Sequence, residues 1–202
     1  MNVGVLASGN GTNLQALIDR AHGRDGVVLR AVASDRPGAR ALDRARAAGI
    51  DAEVFASEAF ADRASRDAAI AAWLRERGVE LVVLAGYMQL VGEPFLAAFP
   101  DRVLNVHPAL LPAFPGLDAV QQALDHGVKV FGVTVHFVDA GMDTGPIIFQ
   151  RAVELPEAAG ADAVLEALHP IEHDLLVDAV RLIARGAVRV DPANPRRVAI
   201  SR

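Results

Sequence analysis

In Val103-Leu104-Asn105-Val106-His107-Pro108-Ala109-Leu110-Leu111-Pro112, an apolar strand runs into a polar pair and then a proline-bracketed loop. Alternate side chains of an extended strand share a face, so Asn105 and His107 project together, one step apart. An amide donor then stands beside an imidazole at the carboxyl end of a strand, where open α/β sheets build their sites. The plainer alternative is a strand that ends in a polar turn, with His107 as a satisfied cap. Gly141-Met142-Asp143-Thr144-Gly145-Pro146, further along, bears on that choice.

Upstream of this stretch the pattern is repetitive. Val3–Ala7 and Leu81–Ala85 are continuous apolar runs, as strands buried on both faces should be. Leu14, Leu17, Ile18 and Ala21 form a helical stripe after Gly11-Thr12-Asn13. Val27–Ser34 and Ala52–Phe55 read as strands, and Ala39–Ala48 as a helix closed by Gly49. Asp62–Arg77 is a long helix with Ile70, Trp73 and Leu74 inward, and a helical turn falls near Glu93–Ala98. Strands alternating with helices predict an α/β fold with a doubly wound, mostly parallel sheet and helices on both faces.

Downstream the character changes. Ala119–Asp125 is a short helix, and Val130–Val138 a long alternating strand with Thr134 and His136 on one side. Pro146–Val153 pairs with it as an antiparallel hairpin in the C-terminal half. Asp162–Arg185 is helical, and Pro170 predicts a kink or break near His169. Val188–Ser201 holds one or two edge strands. Neither repeat nor linker interrupts residues 1–202, so a single domain is expected.

Of the 202 residues 52% are hydrophobic, with few aromatics, enough for a core built from Ala, Val and Leu. The absence of cysteine excludes disulfides, thiolate catalysis and Cys-based zinc sites. No His/Asp/Glu set has credible metal spacing, so no metal is expected. A net charge of −5 argues against nucleic acid as a partner, and no apolar run suits a membrane. With no leader-like opening segment, a cytoplasmic location is expected. Arg40–Arg46 reads as a solvated helix face.

Ser8-Gly9-Asn10-Gly11-Thr12-Asn13 joins the first strand to the first helix, where backbone N–H groups and a helix N-terminus suit a phosphate. The alternatives are a simple glycine-rich turn, in which Thr12 or Asn13 caps the helix, and a dinucleotide site. That fingerprint fails where Leu14 replaces its third glycine, although Asp35 could imitate the ribose-binding acid. Asp143 is either a turn former or a carboxylate held against His107, favouring its imidazolium. His136 either lines the cleft from its alternating strand or serves as a structural hydrogen-bonding residue, the second being the preferred reading. His22 and His126 suit helix ends, and His169 and His173 a helix surface.

Over almost its whole length the chain resembles the phosphoribosylglycinamide formyltransferase family. The motifs are Ser8–Leu14, Val82-Val83-Leu84-Ala85-Gly86-Tyr87-Met88, Asn105–Gly116, Gly132–Val138 and Met142–Pro146, in the family's order. The resemblance implies a catalytic trio of Asn105, His107 and Asp143, and a substrate phosphate held by Gly11, Thr12 and Asn13. It implies folate contacts at Arg63, Met88, Gln89, Leu90, Val91 and Asn105, and ribose contact at Glu172. About residues 1–100 would hold the phosphate, and about 101–202 the folate and the catalytic groups. The implied reaction moves a formyl group from 10-formyltetrahydrofolate to the amine of 5′-phosphoribosylglycinamide in purine (IMP) biosynthesis, as monomer or homodimer. Gln89 stands where the family commonly has arginine, Tyr87 where it has phenylalanine, and Pro170 in a helix usually free of proline.

Four rival readings are open. A formyltetrahydrofolate hydrolase uses the same trio, but with an extra domain ahead of the first strand. A methionyl-tRNA formyltransferase adds a basic C-terminal domain. A non-catalytic folate or nucleotide sensor would need no intact trio. A dehydrogenase fails at Leu14.

Overall fold

The computed structural model describes residues 1–201. Five strands are parallel: β1 (Asn2–Leu6), β2 (Val28–Ser34), β3 (Asp51–Val54), β4 (Leu81–Leu84) and β5 (Val103–His107). Two more, β6 (Val130–Phe137) and β7 (Ile147–Glu154), add an antiparallel hairpin to β5. The order across the sheet is β3-β2-β1-β4-β5-β6-β7. The winding therefore reverses between β1 and β4, and a crevice opens beyond their carboxyl ends at such a switch point. Leu6, Leu84 and Asn105 lie in register, so the loops after β1, β4 and β5 leave from one edge.

Strand alternation sends side chains into two cores. Val3, Val5, Val83, Leu104, Val106, Val133 and Val135 face one layer. That layer is α1 (Thr12–Arg20), α2 (Arg40–Ala47), α5 (Ala119–Asp125) and α6 (Ala161–Ala184). Leu6, Val82, Leu84 and Val103 face α3 (Arg63–Glu76) and α4 (Glu93–Ala98), through Ile70, Leu74, Phe95 and Phe99. Asn105 and His107 share Val103's face, so the apolar layer gives way to polar groups along β5. Asp62 caps α3, accepting the Ser65 N–H at 2.7 Å.

Two expectations change. Pro170 does not break α6, which runs unbroken from Ala161 to Ala184. Pro170 and Glu166 are both exposed, so the carbonyl that loses its helix partner lies on the solvent side. Buried Leu168, Leu175, Leu176, Val177 and Val180 offset a proline penalty of about 3 kcal/mol. The tail strands β8 (Val188–Asp191) and β9 (Asn194–Ile200) pair with each other as a separate ribbon, not as edges of the main sheet. None of the helices is long and apolar enough to cross a membrane, among the described residues.

Candidate active site

Asn105 is paired with His136 across the β5–β6 ladder, and His107 with Thr134, so all four side chains share one face. The loop between β6 and β7 folds back over them and delivers Asp143, in a left-handed conformation at φ 53°. A side chain at Gly145 would overlap the Phe137 carbonyl, so this return requires glycine there. Asn105 Nδ2 donates to Asp143 Oδ1 at 3.3 Å and lies 3.2 Å from His136 Nε2. His107 Nδ1 is 3.5 Å from Asp143 Oδ2, and His136 Nε2 is 3.6 Å from Oδ1. Gly116 N–H donates to Asp143 Oδ2 at 2.7 Å.

The three residues singled out from the sequence therefore meet, and His136 joins them. A hydrogen bond between His136 Nδ1 and the Phe137 carbonyl, at 2.8 Å, bears out its structural reading. The same ring presents Nε2 to Asn105, which that reading missed. Thr134 and His136 alternate with an apolar face, but only the strand register reveals which polar pair they oppose.

Charge is set by burial and partners. Burial alone would raise the Asp143 pKa. The His136 ring, the Gly116 N–H and the neighbouring His107 outweigh it and bring it down to about 2. At His107 burial wins and lowers the pKa, against the opposing pull of the Phe114 carbonyl and Asp143. Burial thus opposes the expected imidazolium at His107, while an acceptor at each ring nitrogen favours it. Its Nε2–H donates to the Phe114 carbonyl at 2.8 Å, leaving Nδ1 toward Asp143. Thr134 anchors the proline loop behind it, donating to Ala109 O at 2.7 Å and accepting Leu111 N–H at 3.1 Å.

Ahead of α1, Gly11 adopts φ 73°, and a Cβ there would sit 2.8 Å from Ala41 Cα. No side chain caps the helix, so neither Thr12 nor Asn13 fills the capping role. The first-turn N–H groups and the positive end of the helix are available to an anion. Asn13 instead donates Nδ2–H to Glu172 Oε2 at 2.9 Å, across from α6. Burial raises the Glu172 pKa. Pro170, half a turn earlier, does not divert it. Arg44 departs from the solvated-face reading of Arg40–Arg46, donating to Asn10 O at 2.8 Å and to Gln15 Oε1 at 2.9 Å. His22, at the end of α1, accepts the Leu29 N–H on its Nδ1 at 3.0 Å.

The segment after β4 lies between the two. Met88 and Leu90 are exposed, whereas Tyr87 and Val91 pack toward α3 and α4. Burial pushes the Tyr87 hydroxyl up to about 12. Arg63, Arg66, Gln89, Ser57 and Phe60 line a cavity of 230 Å³. Arg66, buried, donates to Gln89 Oε1 at 3.3 Å. Arg63 and Gln89 thus share a pocket, but neither hydrogen-bonds to Asn105, His107 or Asp143. Among the described residues no group of three acidic, histidine or cysteine side chains could hold a metal ion.

A family model described as formyl transferase matches residues 1–180. Phosphoribosylglycinamide formyltransferase of Mycobacterium tuberculosis is 45% identical over 189 residues, which are 92% of this chain and 86% of that one.

The chain belongs to the phosphoribosylglycinamide formyltransferase family.

The Bacillus subtilis phosphoribosylglycinamide formyltransferase is 44% identical over 170 residues, 84% of this chain and 87% of its own. In three dimensions, glycinamide ribonucleotide transformylase 1 from Symbiobacterium toebii superimposes with a TM-score of 0.95 and 49% identity. The match covers 100% of this chain and 94% of that one. The protein is a formyltransferase, and the polar face of β5 lies within the matched region.

Proposed function

We propose that this formyltransferase moves the formyl group of 10-formyltetrahydrofolate to the amine of 5′-phosphoribosylglycinamide, a step of purine (IMP) biosynthesis in the cytoplasm. The convergence of Asn105, His107 and Asp143 beside an anion-binding helix start supports this reading. Gly11, Thr12 and Asn13 hold the phosphate through backbone N–H groups, and Glu172, fixed by Asn13, contacts the ribose. Exposed Met88 and Leu90, with Gln89, Val91, Arg63 and Asn105, receive the folate. The phosphate end draws on both halves of the chain, since Asn13 donates to Glu172.

Amine attack on the formyl carbon creates a tetrahedral carbon bearing an oxyanion. The Asn105 amide donates to that oxygen, where one donor is worth about 10² to 10³ in rate. His107 Nδ1 takes up the proton that the amine sheds, and the carboxylate of Asp143 steadies the imidazolium so formed. The positive ring then supports the oxyanion, and the proton passes on to the departing folate nitrogen. Neither a covalent enzyme intermediate nor a metal has a role in this sequence of steps.

Purified protein mixed with 10-formyltetrahydrofolate and 5′-phosphoribosylglycinamide should yield formylated amine and tetrahydrofolate, followed by mass spectrometry and absorbance. Formate released at the same rate without the amine would instead identify a hydrolase. Binding of both ligands with neither product would identify a non-catalytic sensor.

A further inference from the structure

We propose that Asp35 is a positioning residue that ties the Ser8–Asn13 loop to the Met88–Val91 segment, so that filling either substrate site readies the other. The inference rests on the roles given to those two loops under the proposed function. Asp35 follows β2 directly and is only 8% exposed. One of its oxygens accepts the Ser8 hydroxyl at 2.5 Å, and the other accepts Gln89 Nε2–H at 3.2 Å. The Ser8 hydroxyl in turn accepts the Met88 N–H at 2.8 Å. Ser8 N–H also donates to the Gly86 carbonyl at 3.1 Å.

The two loops leave adjacent parallel strands on either side of the switch point, and Asp35 reaches both from a third strand. A buried carboxylate needs donors on both oxygens, and here each oxygen serves a different loop. A local turn does not account for it. The turn after β2 is closed by Ser34, whose hydroxyl accepts the Arg36 N–H at 3.1 Å. A ribose-binding acid alone does not account for it either, because such a role needs no donors from two separate loops. Arg36 stands 3.9 Å away with an exposed side chain, so the donors from the two loops dominate. Gln89 is held on its other side by Arg66. Moving one loop therefore drags the carboxylate and, with it, the other.

The test is calorimetric titration of the full chain with tetrahydrofolate, with and without saturating 5′-phosphoribosylglycinamide, a pair that carries no formyl group and cannot turn over. In the unaltered protein each ligand should tighten the other by at least about fivefold. In Asp35→Ala that mutual tightening should shrink to about twofold or less, with each ligand still binding alone. Ser8→Ala severs the arm to the Ser8–Asn13 loop and should show the same loss, which decides the matter if Asp35→Ala does not fold. Full coupling in these variants, or none in the unaltered protein, overturns the role of Asp35. Failure of the unaltered protein to bind either ligand is a different result, and it overturns the substrate assignment itself.

Discussion

The β1–α1 loop and the polar end of β5 both suit negative charge, yet they are built from different materials. The loop uses backbone: a left-handed Gly11 pressed against Ala41, and the uncapped start of a nine-residue helix. The end of β5 uses side chains from three separated segments, Asn105 with His107, His136 and Asp143. Backbone N–H groups do not titrate and helix dipoles are fixed, so the loop should add little pH dependence to anion binding beyond that of the phosphate itself. Imidazoles and carboxylates titrate, so the pH response of the enzyme should originate at β5. Permanent charge is met by a permanent field, and transient charge by groups that can change theirs.

The largest effect should come from removing a donor at β5. Asn105→Ala or His107→Ala is expected to lower kcat by at least about 10² while leaving KM for the phosphate-bearing substrate near that of the unaltered enzyme. Steady-state kinetics with each substrate varied in turn would show it. Near-normal turnover in either variant would break the division between holding and reacting.

Next in size is Asp143→Asn, which removes the charge that opposes burial at His107. The His107 pKa should fall further, so the acid limb of the kcat profile should move to lower pH, with turnover reduced. Stability should respond as well. The Asp143 pKa of about 2 lies below the ordinary 3.8, so its stabilisation is full above the ordinary value and disappears as pH falls through about 2. Allowing for screening at a partly solvated carboxylate, the contribution is roughly 1–2 kcal/mol. Urea midpoints of the two proteins should therefore differ at pH 7 and converge near pH 2.

What could be read in the sequence followed the same division. The loop before α1 is local, so glycines flanking Asn10 and the stripe from Leu14 onward were enough to place a tight turn into a helix N-terminus there. Asn105 and His107 were legible because strand alternation puts them on one face. His136 was legible only as an alternative to a structural role, since its partner depends on β6 running antiparallel in a register that no local pattern encodes. Arg44 was misread because a charged helix face looks solvated until the loop beside it is placed. Pro170 misled for the opposite reason: the local rule was sound, but tertiary burial of α6 outweighed it.

Changing Gly11 to alanine should move the other half of the comparison. Its φ of 73° and the 2.8 Å approach to Ala41 Cα make any side chain strained there. The expected result is a rise of about tenfold or more in KM for the phosphate-bearing substrate, equivalent to about 1.4 kcal/mol, with kcat changed far less. An equal fall in kcat and in affinity would mean that the loop also aligns the reacting amine.

The smallest effect should come from Arg44, which grips the same loop from behind. Its guanidinium donates to Asn10 O at 2.8 Å, to Gln15 Oε1 at 2.9 Å and to Asn10 Oδ1 at 3.2 Å. Two of these three donors hold the residue just before Gly11 on two of its oxygens and the third holds Gln15, a fixed fork that an ammonium group cannot reproduce. Arg44→Ala should therefore raise KM for the phosphate-bearing substrate about two- to tenfold, in line with a net loss of about 0.5–1.5 kcal/mol, and leave the folate KM unchanged. Arg44→Lys separates two causes. If the arginine acts by attracting the phosphate, lysine should restore affinity almost fully, and the deficit should shrink as salt is added. If it acts by holding Asn10, lysine should restore little, and salt should make no difference. The second outcome is expected, because the guanidinium is already committed to Asn10 and Gln15.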